Sequence, residues 1–228
     1  MSVVLILTIH FWGGRDFQTI EEGNEESAEF RSIRIDANNA YIAKDYYNAI
    51  ELYDQAYEMR PDNAEICNDL GSAHYDLAIK NAGPLWPSWK DITVNGSVED
   101  AITELELAIE KIESGYFRIK TSSTSIAKDL EKIAVTKGAA VFPYYGNTQT
   151  TLNLLIGPTK EHLLQAKSLY LRSIELKSVY PAPYRNLGSL YMKIGITDKA
   201  INFYREAYKR QPSDEELAEY LHQFKSAF

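Results

Sequence analysis

Cysteine is nearly absent from this sequence: its 228 residues include a single one, Cys67. One thiol excludes a disulfide framework within the chain and a metal site built on several thiolates. It leaves the compartment open, because an exported protein can also lack disulfides. Histidine is scarce as well, and no two of the four are spaced as a metal-binding pair on one helix. The composition therefore predicts neither a metal nor another cofactor.

Positive charge is also in deficit. The chain has 24 Lys and Arg residues against 32 Asp and Glu residues, which gives a formal net charge of −8. A protein of this charge is repelled by nucleic acid and by anionic membrane surfaces. We therefore do not expect a nucleic acid partner.

Long hydrophobic runs are missing too, and the strongest candidate covers only residues 3–12. A membrane-spanning helix needs about 20 apolar residues. The run also lacks the preceding Lys or Arg and the cleavage site of a signal peptide. Its β-branched residues favour a packed or partner-binding arm, while a poor or truncated export signal stays open as the alternative. We interpret residues 1–24 as an apolar arm followed by an acidic linker.

The usual signatures of catalysis are absent from the sequence. It contains no glycine-rich phosphate-binding loop and no GxSxG nucleophile motif. We interpret His74 as a packed core residue, His162 as a solvent-facing residue and Cys67 as a buried structural thiol. No set of residues supports a catalytic site, so we do not expect an enzyme.

What the sequence does contain is a recurring pattern of small and large residues at helical spacing. A small residue is followed after four positions by a large one and, three positions later, by a second small residue. Two copies end in a proline five positions further on. The copies are Ala49, Tyr53, Ala56 and Pro61; Ala101, Leu105 and Ala108; Ala166, Tyr170 and Ser173; and Ala200, Tyr204, Ala207 and Pro212.

This pattern resembles the tetratricopeptide repeat, a 34-residue unit of two antiparallel helices. Ala166 and Ala200 are 34 residues apart, and Leu187-Gly188 upstream of the last copy is echoed by Leu70-Gly71. The resemblance is carried by Leu187, Gly188, Tyr191, Gly195, Ala200, Tyr204, Ala207 and Pro212. It implies an all-α solenoid of about four helix pairs, in which small residues let the paired backbones approach closely.

The spacing of the copies divides the predicted solenoid, residues 25–228, into units and insertions. The units are expected near residues 30–63, 64–115, 147–180 and 181–214. One insertion, residues 79–97, interrupts the second unit, and another, residues 116–146, follows it and contains a helix near residues 125–137. An amphipathic capping helix is expected within residues 213–228.

The resemblance implies a protein-interaction function, either as a scaffold or as an assembly subunit of a larger complex. Its partners would be proteins or peptides held on the concave face and on the aromatic insertions. The alternative is an exported or membrane-anchored envelope protein, whose N-terminus is a signal or anchor. Whether the protein contacts a membrane stays open. Its compartment also stays open, with the cytoplasm slightly favoured. The expected concave-face residues are Arg31, Arg34, Asn38, Tyr41, Asn68, Ser72, Tyr75, Arg185, Ser189 and Met192, and the expected aromatic patch is Trp86, Trp89, Tyr144 and Tyr145.

Overall fold

The structure is a computed structural model, and it describes residues 26–82, 90–94, 97–111 and 115–224. The predicted N-terminal arm, Trp86 and Trp89 lie outside these residues. The described helices are α1 (Ala28–Ile42), α2 (Tyr46–Met59), α3 (Ala64–Ala82), α4 (Val98–Lys111), α5 (Thr124–Thr136), α6 (Pro158–Leu176), α7 (Ala182–Lys193), α8 (Thr197–Arg210) and α9 (Glu215–His222). The described strands are β1 (Lys90–Thr93), β2 (Gly115–Thr121), β3 (Ala140–Tyr145) and β4 (Thr150–Ile156).

The described helices of the solenoid form three pairs. Helix α1 packs on α2, α3 packs on α6 and α7 packs on α8, with α9 against α8 at the C-terminal end. Helices α3 and α6 are antiparallel. Ser173, near the end of α6, hydrogen-bonds to Ala64 at the start of α3, whereas His162, near the start of α6, contacts His74 in the second half of α3. The predicted helical solenoid, with its C-terminal capping helix, is confirmed, and the described residues form three helix pairs where about four were expected.

Side-chain caps set where several of these helices begin. The Ser27 hydroxyl accepts a hydrogen bond from the Phe30 amide at 3.1 Å, and the Asp214 carboxylate accepts one from the Leu217 amide at 2.9 Å. Each cap satisfies an amide that the first turn of a helix leaves without an intrahelical partner. Gly195 has a φ of 77° in the turn between α7 and α8, a conformation that glycine adopts without strain.

In two of the three pairs a tyrosine of the second helix lies over a glycine of the first, and in the other pair Tyr53 of α2 shares a buried cluster with the small residue Ala37 of α1. A Cβ added to Gly71 would lie 2.9 Å from the Tyr170 ring, and one added to Gly188 would lie 2.5 Å from the Tyr204 ring. Each tyrosine hydroxyl also hydrogen-bonds to the residue after the small one. These bonds join Tyr53 to Asn38 at 2.7 Å, Tyr170 to Ser72 at 3.4 Å and Tyr204 to Ser189 at 3.1 Å.

The second pair is assembled from distant segments of the chain. Gly71 precedes Ala166 by 95 residues, whereas Gly188 precedes Ala200 by 12. The expected division into units 64–115 and 147–180 is therefore wrong: α6, and not α4, pairs with α3, and residues 150–156 form a strand. The misleading signal was the spacing of small and large residues in α4, which matches a repeat but serves a different core.

That core belongs to an α/β domain inserted between α3 and α6. Its four strands follow the order β1-β2-β4-β3, with β1 parallel to β2 and β4 antiparallel to both of its neighbours. Helices α4 and α5 cover one face of the sheet, where Leu105 and Leu130 pack on Leu152 and Leu154. The predicted helix near residues 125–137 is confirmed as α5.

The opposite face of the sheet lies toward the solenoid. Leu155 of β4 joins the same hydrophobic cluster as Ala78 of α3 and Leu163 of α6. Strand β4, TTLNLLI, is consequently buried on both faces: Leu152 and Leu154 pack under α4 and α5, and Leu155 packs against the solenoid. This explains why the sequence of β4 lacks the alternation of a half-exposed strand and could be mistaken for a helix.

The two ends of the described solenoid differ from its middle. Ile66 and Ala73 of α3 are fully buried against the preceding pair. The residues 34 positions earlier in α1 are Ser32 and Asn39, which are polar and exposed. At the other end, Leu217 of α9 is buried and covers the last pair. Polar outer faces of this kind keep the terminal units of a repeat array soluble.

The inserted domain can be removed if α3 and α6 form a genuine repeat unit. We expect a chain in which the Ile-Gly-Ile turn of residues 194–196 replaces residues 77–162 to remain helical and to unfold cooperatively. When Gly71 is aligned with Gly188 and Ala166 with Ala200, the two cut points match the end of α7 and the start of α8. Circular dichroism during urea unfolding measures this. A broad, non-cooperative transition would contradict the assignment of α3 and α6 to one unit.

Candidate partner-binding site

The candidate site is the face formed by the first helix of each pair, α1, α3 and α7, which we call the inner face. Polar side chains connect these three helices. The Tyr41 hydroxyl of α1 donates to the Asp76 carboxylate of α3. From α7, the Asn186 amide donates to the Asn68 side-chain oxygen at 2.9 Å and to the Ser72 hydroxyl at 3.2 Å. The inner face is therefore a hydrogen-bonded surface and not three independent helices.

The arginines predicted at the N-terminal end of this face differ in their surroundings. Arg31 is exposed, whereas Arg34 places its guanidinium between the carboxylates of Glu65, at 3.0 Å, and Glu26, at 3.4 Å. The side chain of Arg34 is only 24% exposed. The positive charge of Arg34 is therefore balanced within the chain.

Arg185 repeats this arrangement at the C-terminal end of the face. Its guanidinium lies 2.8 Å from the Asp214 carboxylate and 3.1 Å from that of Glu216, and its side chain is 23% exposed. The predicted residue Ser189 donates to the Arg185 carbonyl at 3.2 Å. Met192 is half-buried and packs against the core of the last two pairs.

Tyrosines and carboxylates share the middle of the inner face. Burial raises the pKa of Tyr41, and the negative charge of Asp76 raises that pKa further. Burial likewise raises the pKa of Tyr180, in the connection that precedes α7, with further contributions from Asp69 and Glu65 of α3. Both phenols consequently stay protonated at ordinary pH and act as neutral hydrogen-bond donors. Tyr75, also predicted here, is half-buried against the hydrophobic core.

Sequence reasoning missed Asn186, although its position contained a usable signal. Asn186 precedes the small residue Gly188 by two positions, where α3 has Asp69 and α1 has Ile35. In α7 this position faces the preceding pair, as the bonds from Asn186 to Asn68 and Ser72 show. Asn68, predicted to meet a partner, is only 5% exposed and its side-chain oxygen is occupied by Asn186.

The two tyrosines of the predicted aromatic patch point away from each other. They are adjacent on β3, and successive residues of a strand face opposite sides of a sheet. The Tyr145 hydroxyl donates to Glu131 of α5 at 3.1 Å. The nearby Asp198 carboxylate of α8 raises the pKa of Tyr144. Both rings remain accessible, at 40% and 49% exposure, but on different faces of the inserted domain.

The described residues offer little that resembles a reaction centre. They contain no group of three or more His, Cys, Asp or Glu side chains that could hold a metal ion. Cys67 is buried, and burial raises the pKa of its thiol, which makes it a poor nucleophile. His162, predicted to face solvent, is half-buried against His74. Among the helices that the structure describes, none is long and apolar enough to cross a membrane.

Comparison with known families identifies one segment directly. Residues 183–214 match the family model for the tetratricopeptide repeat. They comprise nearly all of α7, all of α8 and the turn that leads to α9. The last pair is therefore a tetratricopeptide repeat, and the resemblance seen in the sequence is confirmed. No curated protein matches the chain.

Several solved structures match the chain at low sequence identity. The first tetratricopeptide domain of Spaghetti (RPAP3), solved with the HSP90 peptide SRMEEVD, is 11% identical, with a TM-score of 0.48 over 89% of this chain and 94% of that chain. The MamA protein is 18% identical, with a TM-score of 0.26 over 84% and 78% of the two chains. The protein TTC0263 of Thermus thermophilus is 14% identical, with a TM-score of 0.26 over 85% and 97%.

The bond between α7 and α3 should contribute measurably to stability. We expect Asn186→Ala to lower the free energy of unfolding by about 1–3 kcal/mol, because the buried Asn68 oxygen loses its donor. Urea unfolding measures this difference. Arg31→Ala, on the exposed part of the same face, should change stability by no more than about 0.5 kcal/mol. Equal effects of the two substitutions would contradict the proposed connection between the helices.

Proposed function

We propose that this protein is an interaction subunit that holds a segment of a partner protein on its inner face, within a larger assembly. Tetratricopeptide repeats are protein-interaction modules, and the last helix pair is one of them. The observation that carries the proposal is the continuous row of polar and aromatic side chains that α1, α3 and α7 contribute to one surface.

The intramolecular bonds of this surface support the proposal because they hold its side chains in place before a partner binds. Tyr41 is held by Asp76, Ser72 by Asn186 and Ser189 by Tyr204. Side chains already ordered in the unbound protein lose less conformational entropy when a complex forms. The inner face is thus suited to bind an extended segment through hydrogen bonds and contacts with half-buried aromatic rings.

The charges of the inner face favour a neutral or cationic segment over an anionic one. A peptide carboxylate would have to compete with two carboxylates at Arg34 and with two at Arg185. Binding such a carboxylate would break the existing ion pairs and would also require desolvation of the incoming charge. Asp69 and Asp76 add negative charge along the middle of the face. Arg34, with its charge already balanced by Glu26 and Glu65, is therefore poorly placed to hold an anionic group.

The inserted domain would give the subunit a second surface in a fixed position. The Lys160 ammonium of α6 donates to the Gly138 carbonyl at 2.8 Å, and Lys167 lies 5.5 Å from the centre of the Phe142 ring. These two contacts attach the sheet to α6, and the effect of the Asp198 carboxylate on the pKa of Tyr144 places β3 close to α8. We propose that a partner spans both the solenoid and the insertion.

Selection from a random peptide library displayed on phage, followed by fluorescence polarisation with the selected peptide, tests the proposal. We expect Tyr75→Ala to weaken binding by about tenfold or more, as the loss of a central aromatic contact does. Arg31→Glu should strengthen binding, because it removes a cation from a face that receives neutral or cationic residues. Amidation of the peptide C-terminus should leave the affinity unchanged.

The matched control is Arg172→Glu, the same charge reversal at an exposed position of α6, outside the inner face. It should leave binding unchanged. Failure to select any peptide, or equal effects of Arg31→Glu and Arg172→Glu, would contradict binding on the inner face. Peptides that bind only through a free C-terminal carboxylate would contradict the proposed charge preference while leaving the interaction function intact.

A further inference from the structure

Two histidines meet head-on between α3 and α6. The Nδ1 atoms of His74 and His162 are 2.9 Å apart, and the ring centres are 5.2 Å apart. The difference between these distances, 2.3 Å, is close to the sum of the two centre-to-nitrogen radii of imidazole rings. The two ring centres and the two Nδ1 atoms therefore lie nearly on one line, which is the preferred geometry of a hydrogen bond. It is not the geometry of metal ligands, whose lone pairs would converge on a point beside that line.

A direct contact between two Nδ1 atoms accommodates a single proton. One ring must donate from Nδ1 while the other accepts at Nδ1, so the neutral rings adopt different tautomers. The first added proton can occupy the outer nitrogen of the donor ring and leave the hydrogen bond intact. The second would place a hydrogen on both facing nitrogens and two positive charges on touching rings, which breaks the contact.

The position of the pair gives this chemistry a structural consequence. His74 lies two turns before the end of α3, and His162 lies one turn after the start of α6. These are the ends at which the chain leaves the solenoid for the inserted domain and returns from it. The pair therefore joins the two helices that support the domain at its base.

We propose that the pair formed by His74 and His162 is an acid-sensitive latch, which holds α3 against α6 under the inserted domain and releases them when both rings are protonated. Release would loosen the domain relative to the solenoid while the first and last helix pairs remain folded. Acidity would thereby alter the relation between the two surfaces of the protein. The inference does not depend on the proposed partner or on its binding site.

The surroundings of the pair set the direction of the effect. Burial lowers the pKa of His74 to about 4, with a further contribution from His162. Burial also lowers the pKa of His162, while the charge of Glu161, the adjacent residue on α6, acts in the opposite direction. Among the described residues, Glu161 and the two rings themselves are the titratable groups that act on the pKa values of the pair. His162 is thus the ring protonated first, and His74 the acceptor that keeps the latch closed.

These directions define the pH range over which the junction weakens. An opened junction binds protons at the ordinary histidine pKa of about 6.5, above the values of the closed pair. The stabilisation is therefore complete above about pH 6.5 and declines as the pH falls toward the pKa of His74. It should be lost when His74 is protonated.

Hydrogen exchange of the full chain, corrected for the intrinsic effect of pH, tests the release. Since one pKa unit corresponds to about a tenfold change in an equilibrium constant, we expect protection near residues 74–82 and 158–163 to fall at least about tenfold more than in α7 and α8 between pH 7.5 and 4.5. His74→Tyr, which copies Tyr191 at the matching position of the last pair, should abolish this difference. His222→Asn, on α9, should retain it. A uniform loss of protection along the solenoid would overturn the proposal.

Nuclear magnetic resonance of the histidine side chains provides a second test that does not require His74→Tyr to fold. At about pH 8, above the ordinary histidine pKa, we expect one ring of the pair to hold its hydrogen on Nδ1 and the other on Nε2. In His162→Asn, the pKa of His74 should rise because the neighbouring charge is gone. Identical tautomers in both rings, or a titration of His74 that is unchanged in His162→Asn, would show independent histidines and refute the latch.

Discussion

Close contact between a tyrosine of one helix and a small residue of its partner organises the solenoid. Gly71 and Gly188 leave room for the rings of Tyr170 and Tyr204, with no space for even a methyl group. Dense packing of this kind makes the pairing specific, because a larger side chain must displace a ring or separate the backbones. The hydroxyl of each ring hydrogen-bonds to the residue that follows the glycine, Ser72 or Ser189, and these serines belong to the inner face.

The same contact explains how the solenoid tolerates an entire domain within one of its units. Pairing of α3 with α6 depends on side chains that meet across the interface and not on the length of the connection between the helices. The entropy of closing a loop rises only slowly with its length, and a folded insertion whose ends lie close together reduces that cost. The inserted sheet in turn completes its own burial against the solenoid, where Leu155 and Phe142 join the main core.

The amount of structure that could be predicted from sequence follows from this physics. Gly188, Ala200 and Tyr204 identified the last pair because all three lie within one short helical hairpin, where spacing and contact coincide. The unit of Gly71 and Tyr170 could not be recognised from a fixed period, since an inserted domain separates its halves. Ala101 and Leu105 of α4 show the same spacing, although they pack in the core of the inserted domain. Any amphipathic helix with small residues can produce this spacing. The inner-face residues lie on α1, α3 and α7, but most of their carboxylate and amide partners come from neighbouring units and have no signature in the local sequence.

The measurement that tests this account most directly is a double-mutant cycle between Gly71 and Tyr170, read as free energies of unfolding in urea. Gly71→Ala alone should be destabilising, since its methyl group would lie 2.9 Å from the ring. With Tyr170→Ala present, that penalty should disappear, which gives a coupling energy of about 1 kcal/mol or more. The cycle cancels the intrinsic preference of alanine for helices, and the pair of Gly188 and Tyr204 provides the reference in an undivided repeat. Additive effects at Gly71 and Tyr170, within about 0.5 kcal/mol, would show that the two halves do not pack as one unit.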